Sequence, residues 1–185
     1  MRHIDTPLPG VAILEPIVHG DDRGFFFESY NRQTFVQLGI DVNFVQSNVS
    51  RSKRGVLRGL HYQWPRPQGK LVSVLEGEVY DVAVDIRPDS PTFRQHTGAM
   101  LTSANKRMMW IPPGYAHGFC VLSEHALFAY QCTELYDRAA DASIRWNDPA
   151  LMIDWPVASP ELSNKDLAAP LLDEVPLERL PGYAP

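Results

Sequence analysis

Apolar residues along this chain fall in short bursts, not in the three-and-four spacing of an amphipathic helix. Residues 11–19, 25–30, 44–50, 56–63, 70–75, 78–86, 108–111, 119–122 and 126–136 are rich in β-branched and aromatic side chains and are separated by turn formers. That pattern predicts a succession of short strands, as in a sandwich or barrel. The clearest unit is 71–86, which reads as two strands in a hairpin around Glu76-Gly77. On its second strand Tyr80, Val82, Val84 and Ile86 share one face. Val79, Asp81, Ala83 and Asp85 share the other, which therefore carries two carboxylates. Helical signal is thin. Residues 31–38 fit two turns with Asn31 as N-cap and Gly39 just past the end, and a second short helix begins at Ser163.

Composition narrows the picture. The chain has 185 residues, a little over one domain at roughly 150 residues each. We therefore expect one domain, 1–185, with N-terminal strands over 1–50, a barrel core over 51–148 and a Pro-rich wrap over 149–185. Sixteen prolines leave little room for long helices, and seven of them fall in that last segment. Hydrophobic residues at 44% and charged residues at 21% are those of an ordinary globular protein. A net charge of -5 argues against broad binding to nucleic acid or an anionic membrane. With no apolar run near the ~18 residues of a membrane span, and no export signal at the start, the expectation is a cytoplasmic protein. Cys120 and Cys132 then read as two buried thiols.

The chemistry begins with Gly55-Val-Leu-Arg-Gly-Leu-His61-Tyr-Gln63 and, two strands later, Pro112-Pro-Gly114-Tyr-Ala-His117. The two spacings resemble the halves of the cupin signature, which implies an all-β, cupin-like jelly roll. Metal-binding cupins place a second His where this chain has Gln63, and a Glu shortly after, which residues 64–68 lack. His61 and His117 alone are too few ligands for a divalent ion, so no metal is expected. Taken alone, His61 reads more readily as a hydrogen-bonded strand histidine.

Further blocks make the resemblance specific. Asp22-Arg-Gly-Phe-Phe-Phe-Glu-Ser29, Phe44-Val-Gln-Ser-Asn48, Gln68-Gly-Lys-Leu71, Gly77-Glu-Val-Tyr-Asp-Val-Ala-Val-Asp85, Trp110 to Phe119, Trp146-Asn-Asp-Pro149 and Leu162-Ser-Asn-Lys-Asp166 join the two above. In order and spacing they are similar to the dTDP-4-dehydrorhamnose 3,5-epimerase family, from about Pro9 to Pro170. The resemblance implies a cofactor-free enzyme acting on a dTDP-4-keto-6-deoxyhexose. The keto group makes the C3 and C5 protons removable, so the site needs a base, an acid on the opposite face and a cation at the enolate oxygen.

By resemblance His61 is the base, Asp166 orients it, Lys70 sits near O4, and Tyr130 is the proton donor. Each has a plainer alternative: Ser163-x-x-Asp166 is also a capping-box spacing, Lys70 a solvated strand-start lysine, and Tyr130 a core tyrosine. Arg23, Glu28, Gln46, Asn48, Arg58, His117, Tyr136 and Lys165 would grip nucleoside and diphosphate, with Tyr136 stacked on the thymine. Strand alternation puts Tyr130 and Tyr136 on one face. It puts Arg58 and His61 on opposite faces unless Gly59 marks a bulge. Asp81 or Asp85 could orient His117. Asp141, in Asp-Ala-Ser-Ile144 where the family has Glu-x-Gly-Ile, is the matching substrate-binding position and departs from the family's glutamate.

The resemblance also implies a homodimer whose N-terminal strands cross to the neighbour, bringing Arg23 and Glu28 to the partner's site. Phe25-Phe-Phe27 suits such an interface and suits a core strand as well. Three rivals are open: a relative inverting one carbon only, a metal-dependent cupin oxygenase, and a non-catalytic sugar-binding cupin.

Overall fold

A computed structural model describes residues 1–183. The chain forms β1 (Arg2–Asp5), β2 (Ala12–Glu15), the paired β3 (Val18–Asp21) and β4 (Gly24–Phe27), α1 (Arg32–Gln37), β5 (Gln46–Lys53), β6 (Leu57–Gln63), β7 (Lys70–Glu76) and β8 (Glu78–Asp85). There follow β9 (His96–Thr102), β10 (Met108–Ile111), β11 (Tyr115–Val121), β12 (His125–Cys132), β13 (Asp141–Ser143) and the one-turn α2 (Asn164–Leu167). One sheet has the order β1-β2-β10-β7-β12-β5, the other β13-β6-β11-β8-β9. The named strands pair antiparallel throughout, and the two sheets face each other as a cupin-like jelly roll.

Between the sheets lie Val72, Val74, Val79, Ala83, Phe119 and Phe128. The outer face of the five-stranded sheet is covered too: Val82, Val84 and Ile86 pack under Leu151, Trp155, Leu172 and Leu180 of the irregular C-terminal wrap. Burial on both faces is why 78–86 reads as a near-continuous apolar run. The wrap is fastened by its backbone, with Glu161 bonded to Gly55 and Leu57, Arg145 N–H donating to Pro170, and Leu172 N–H donating to the buried Asp148 carboxylate. On the other sheet α1 lays Phe35 over Leu14, Leu71 and Trp110. Asn31 caps it by accepting from Gln33 and Thr34, and Gly39 ends it at φ +83°, as the sequence predicts.

Three expectations are corrected. Residues 71–86 are not a hairpin: β7 pairs with β10 and β12, whereas β8 pairs with β11 and β9. Only Gly77 lies between them, one residue too few for a two-residue reversal, so the chain passes from one sheet to the other. Residues 11–19 divide into β2 and β3 around Pro16. Strands β1, β9 and β13 carry too little β-branched or aromatic signal to be predicted; in β9, Gly98 makes room for the ring of Tyr80.

Gly77 has φ +83°, and a Cβ there would run into the backbone oxygen of His125. Gly77→Ala should therefore destabilise by more than the ~1–2 kcal/mol of the left-handed conformation alone. A fall in the urea midpoint with unchanged slope is the expected result.

Candidate active site

The site forms where the interior faces of the two sheets turn polar. On β12 and β5, Tyr130 lies opposite Asn48 and Phe128 opposite Ser50; on the other side of β12, Tyr130 lies opposite Val72 and Cys132 opposite Lys70. One face of this sheet thus presents Lys70, Tyr130, Asn48 and Ser50. On the facing sheet β6 pairs His61 with His117 and Arg58 with Phe119, so two residues, Gly59 and Leu60, stand opposite Gly118 alone. This bulge breaks the alternation and turns Arg58 and His61 to the same side. Gly59 has φ +141°, and a Cβ there would lie 2.5 Å from the Cα of Gly118, so the close approach needs glycine. Arg58, His61, Lys70, His117, Phe119, Phe128 and Tyr130 line one cavity of about 200 Å³, with Val49 and Ser50.

His61 Nε2 lies 2.6 Å from Asp166 Oδ1. Asp166 is 2% exposed, and its Oδ2 accepts from Ser163 Oγ at 2.8 Å, while Ser163 Oγ accepts the Asp166 N–H at 3.1 Å. The helix cap and the imidazole partner are therefore one structure, so the capping contact does not exclude a bond to His61. Burial raises the Asp166 pKa, but hydrogen bonds from His61 and Ser163 outweigh it and hold the carboxyl below its usual range. For His61 burial dominates, and the imidazole is held below 6.5 although Asp166 pulls it up. Burial also lowers the Lys70 ammonium and raises the Tyr130 phenol. Lys70 is thus not a solvated lysine; it is half-buried and makes no ion pair among the described residues.

His117 Nε2 lies 3.0 Å from Asp81, and its ring stacks 6.1 Å from Phe128. Asp81, not Asp85, is the histidine's partner. Asp85 is taken up by Arg87, Ser90 and Thr92, and both carboxylates are fully buried, not solvated. The Gln63 amide donates to the Arg66 and Leu135 carbonyls and accepts from Asp137 N–H. In this way it latches two loops. Among the described residues no group of three or more His, Cys, Asp or Glu is placed to hold a metal ion.

This geometry has close counterparts. The family model of dTDP-4-dehydrorhamnose 3,5-epimerase matches residues 5–174. The chain belongs to that family. A dTDP-4-dehydrorhamnose 3,5-epimerase of Salmonella typhimurium is 59% identical over 174 residues, 92% of this chain and 95% of the relative. The crystal structure of a dTDP-6-deoxy-D-glucose-3,5-epimerase from Legionella pneumophila, in complex with dTDP-4-keto-L-rhamnose, is 53% identical at a TM-score of 0.97. It covers 100% of this chain and 99% of its own. A 3'-monoepimerase from Streptomyces bikiniensis in complex with dTDP-quinovose is more distant, 35% identical at a TM-score of 0.85 over 90% of this chain and 87% of its own.

The remaining candidates for the epimerase site surround the cavity or stand away from it. Gln46 donates to Asn48 and accepts the Tyr136 N–H at 2.8 Å. Strand β12 ends at Cys132, so Tyr136 owes its place to this loop contact and not to alternation with Tyr130. Its hydroxyl donates to Asp141 Oδ2 at 3.2 Å, which also accepts Lys165 Nζ at 2.6 Å. These three residues form a rim outside the cavity. Arg23 and Glu28 line no part of it: Arg23 pairs with Asp21 on the β3–β4 arm, and Glu28 accepts from Asn31. Phe25 and Phe26 on that arm are 60% and 70% exposed, which removes the core-strand reading for those two rings. Sequence reasoning missed Phe119, Phe128 and Ser50 as cavity walls; the Phe128/Tyr130 alternation was the available signal for one of them.

Two outcomes are expected. Asp166→Asn, which keeps the shape but removes the charge, should lower turnover by roughly 10²–10⁴ with an unchanged circular dichroism spectrum. Because the folded state disfavours the His61 imidazolium, the residue contributes stability that is complete above pH 6.5 and is lost as pH falls through the folded-state pKa. Denaturant unfolding at about pH 7.5 and about pH 5.5 should show a smaller difference in His61→Gln than in the parent.

Proposed function

We propose that the chain converts dTDP-4-dehydro-6-deoxy-D-glucose to dTDP-4-dehydro-L-rhamnose by inverting C3 and then C5, within the synthesis of dTDP-L-rhamnose. The observation that carries this reading is that His61, bonded to Asp166, shares one cavity with Tyr130, whose phenol burial keeps protonated, and with the half-buried Lys70, which makes no ion pair among the described residues. With Nε2–H donating to Asp166, the Nδ1 lone pair of His61 is the one free to take a proton. Removing the C3 or C5 proton sends electron density to O4, where the Lys70 ammonium offsets it. Tyr130, kept protonated by burial, returns a proton to the opposite face. As the imidazolium forms, Asp166 stabilises it. The keto group delocalises the charge, so the chemistry asks for no redox or metal cofactor.

A cavity of about 200 Å³ takes a sugar ring; whole nucleotide-sized ligands occupy pockets of roughly 300–1,000 Å³. The diphosphate and thymidine then lie outward, along Arg58, His117, Gln46, Asn48, Tyr136, Asp141 and Lys165. Arg23 and Glu28 come from a second copy, across a homodimer formed by the exposed β3–β4 arm; its bare Phe25 and Phe26 support this. We place the protein in the cytoplasm, a reading supported by two free buried thiols and by the absence, among the described residues, of any helix long and apolar enough to cross a membrane.

NMR in deuterated water follows the C3 and C5 protons of dTDP-4-keto-6-deoxyglucose incubated with the metal-stripped protein. Deuterium is expected at both carbons; label at one alone would make it a monoepimerase, and label at neither would end the epimerase reading. His61→Ala should abolish exchange at both carbons. Tyr130→Phe should leave proton removal running while inversion fails, and Lys70→Met should lower kcat by about 100-fold.

A further inference from the structure

Tyr136, on the rim of the cavity, and its neighbour Leu135 are each 55% exposed and belong to none of the apolar clusters of the described residues. Burial therefore does not hold this stretch, and a surface loop without buried apolar contacts opens easily. Hydrogen bonds hold it instead, aimed at the two peptide planes that flank Tyr136. The plane before it carries the Leu135 carbonyl, which accepts from Gln63 Nε2 at 3.2 Å, and the Tyr136 N–H, which donates to Gln46 Oε1 at 2.8 Å. The plane after it carries the Asp137 N–H, which donates to Gln63 Oε1 at 2.8 Å. A residue's two soft dihedrals both lie between its flanking planes, so pinning those planes fixes the direction in which Tyr136 projects. The far end of the ring is caught as well: its hydroxyl donates to Asp141, the residue opposite Gln63 on the β13–β6 ladder.

The anchors belong to the two sheets. Gln63 ends β6 and Gln46 begins β5. Gln63 is 4% exposed, and its amide also donates to the Arg66 carbonyl at 2.7 Å, so both its nitrogen and its oxygen are fully used on backbone. It lies two residues beyond His61 on the same strand, yet it lines no part of the cavity. Its amide therefore has nothing left to offer a sugar, and whatever it contributes passes through the loop it holds.

An exposed aromatic ring at the mouth of a cavity is a surface on which a nucleobase stacks, and stacking asks only for a flat face held in place. A loop that must be ordered at the moment of binding costs affinity, whereas one ordered beforehand does not. We propose that Gln63 is a positioning residue for the nucleoside: by pinning both peptide planes of Tyr136 it presents that ring to the base ready-placed, and so sets the affinity for substrate and leaves the rate of proton transfer alone. This rests on the dTDP-sugar of the proposed function.

The test compares binding with turnover. Gln63→Met, which keeps the length and removes all three bonds, should raise the Kd for dTDP, measured by calorimetry, and the KM for dTDP-4-keto-6-deoxyglucose by about 10-fold, with kcat within about twofold of the parent. Loss of folded protein alone would lower the apparent kcat and leave KM where it was. Tyr136→Ala should raise both constants by roughly 10–100-fold. The double variant should match Tyr136→Ala within about twofold, because Gln63 acts through that ring. A parent-like KM in Gln63→Met, a fall in kcat in its place, or effects that multiply in the double variant would overturn the assignment. Should Gln63→Met fail to fold, amide exchange in the parent decides: the N–H groups of Tyr136 and Asp137 should be protected before any nucleotide is added, and protection that comes only with dTDP would overturn it. A parent protein that binds dTDP and exchanges neither carbon would overturn the epimerase reading alone, whereas one that does not bind dTDP would overturn both.

Discussion

A carboxylate with almost no water around it is tolerable only where donors converge on it, and Asp166 has two, the His61 ring and the Ser163 hydroxyl, the latter fixed in turn by accepting the Asp166 backbone N–H. Much of the architecture can be understood as what is needed to bring those donors together. His61 sits in the middle of a sheet, whereas Asp166 arrives from the irregular wrap that follows it. The wrap stays in place because the outer face of the five-stranded sheet is as apolar as its inner face. One hydrogen bond therefore joins a barrel and its covering into a single chemical unit.

The second constraint is parity. A strand gives every other residue to the interior, and a site with both Arg58 and His61 on β6 violates that rule. The two-for-one step at Gly59 and Leu60 restores consistency. Its cost falls on Gly59 and Gly118, which come too close for any side chain. Across the cavity Phe128 and Tyr130 reach inward by the ordinary alternation of β12, whose ladder with β7 shifts register just before Phe128.

Those differences explain what could be read from the sequence. The alternating faces of β8 and both helix caps were legible because each depends on a local rule acting over a few residues, whereas for Arg58 and His61 the sequence showed the conflict of parity and left a bulge at Gly59 as one way out of it. The pairing of β7 and β8 with other strands was not, since a turn signal does not say which neighbour a strand will find. Likewise β9 was hidden because its Gly98 serves the Tyr80 ring, a partner distant in sequence. The histidine of the site stood out through motif spacing, the lysine and the tyrosine only through resemblance to the family. Phe119 and Phe128 did not, because an aromatic residue looks the same in sequence whether it fills a core or walls a cavity.

His61 and Asp166 are 105 residues apart in sequence, and the carboxylate follows every residue of the cavity in chain order. During synthesis from the N-terminus, the sheets, the cavity, the lysine and the tyrosine can all be in place before Asp166 has left the ribosome. Until it does, His61 has no carboxylate to hold its ring or to steady its charge. A chain that stopped short of Asp166 would therefore keep the cavity's shape and lack the ion pair on which the proposed chemistry rests.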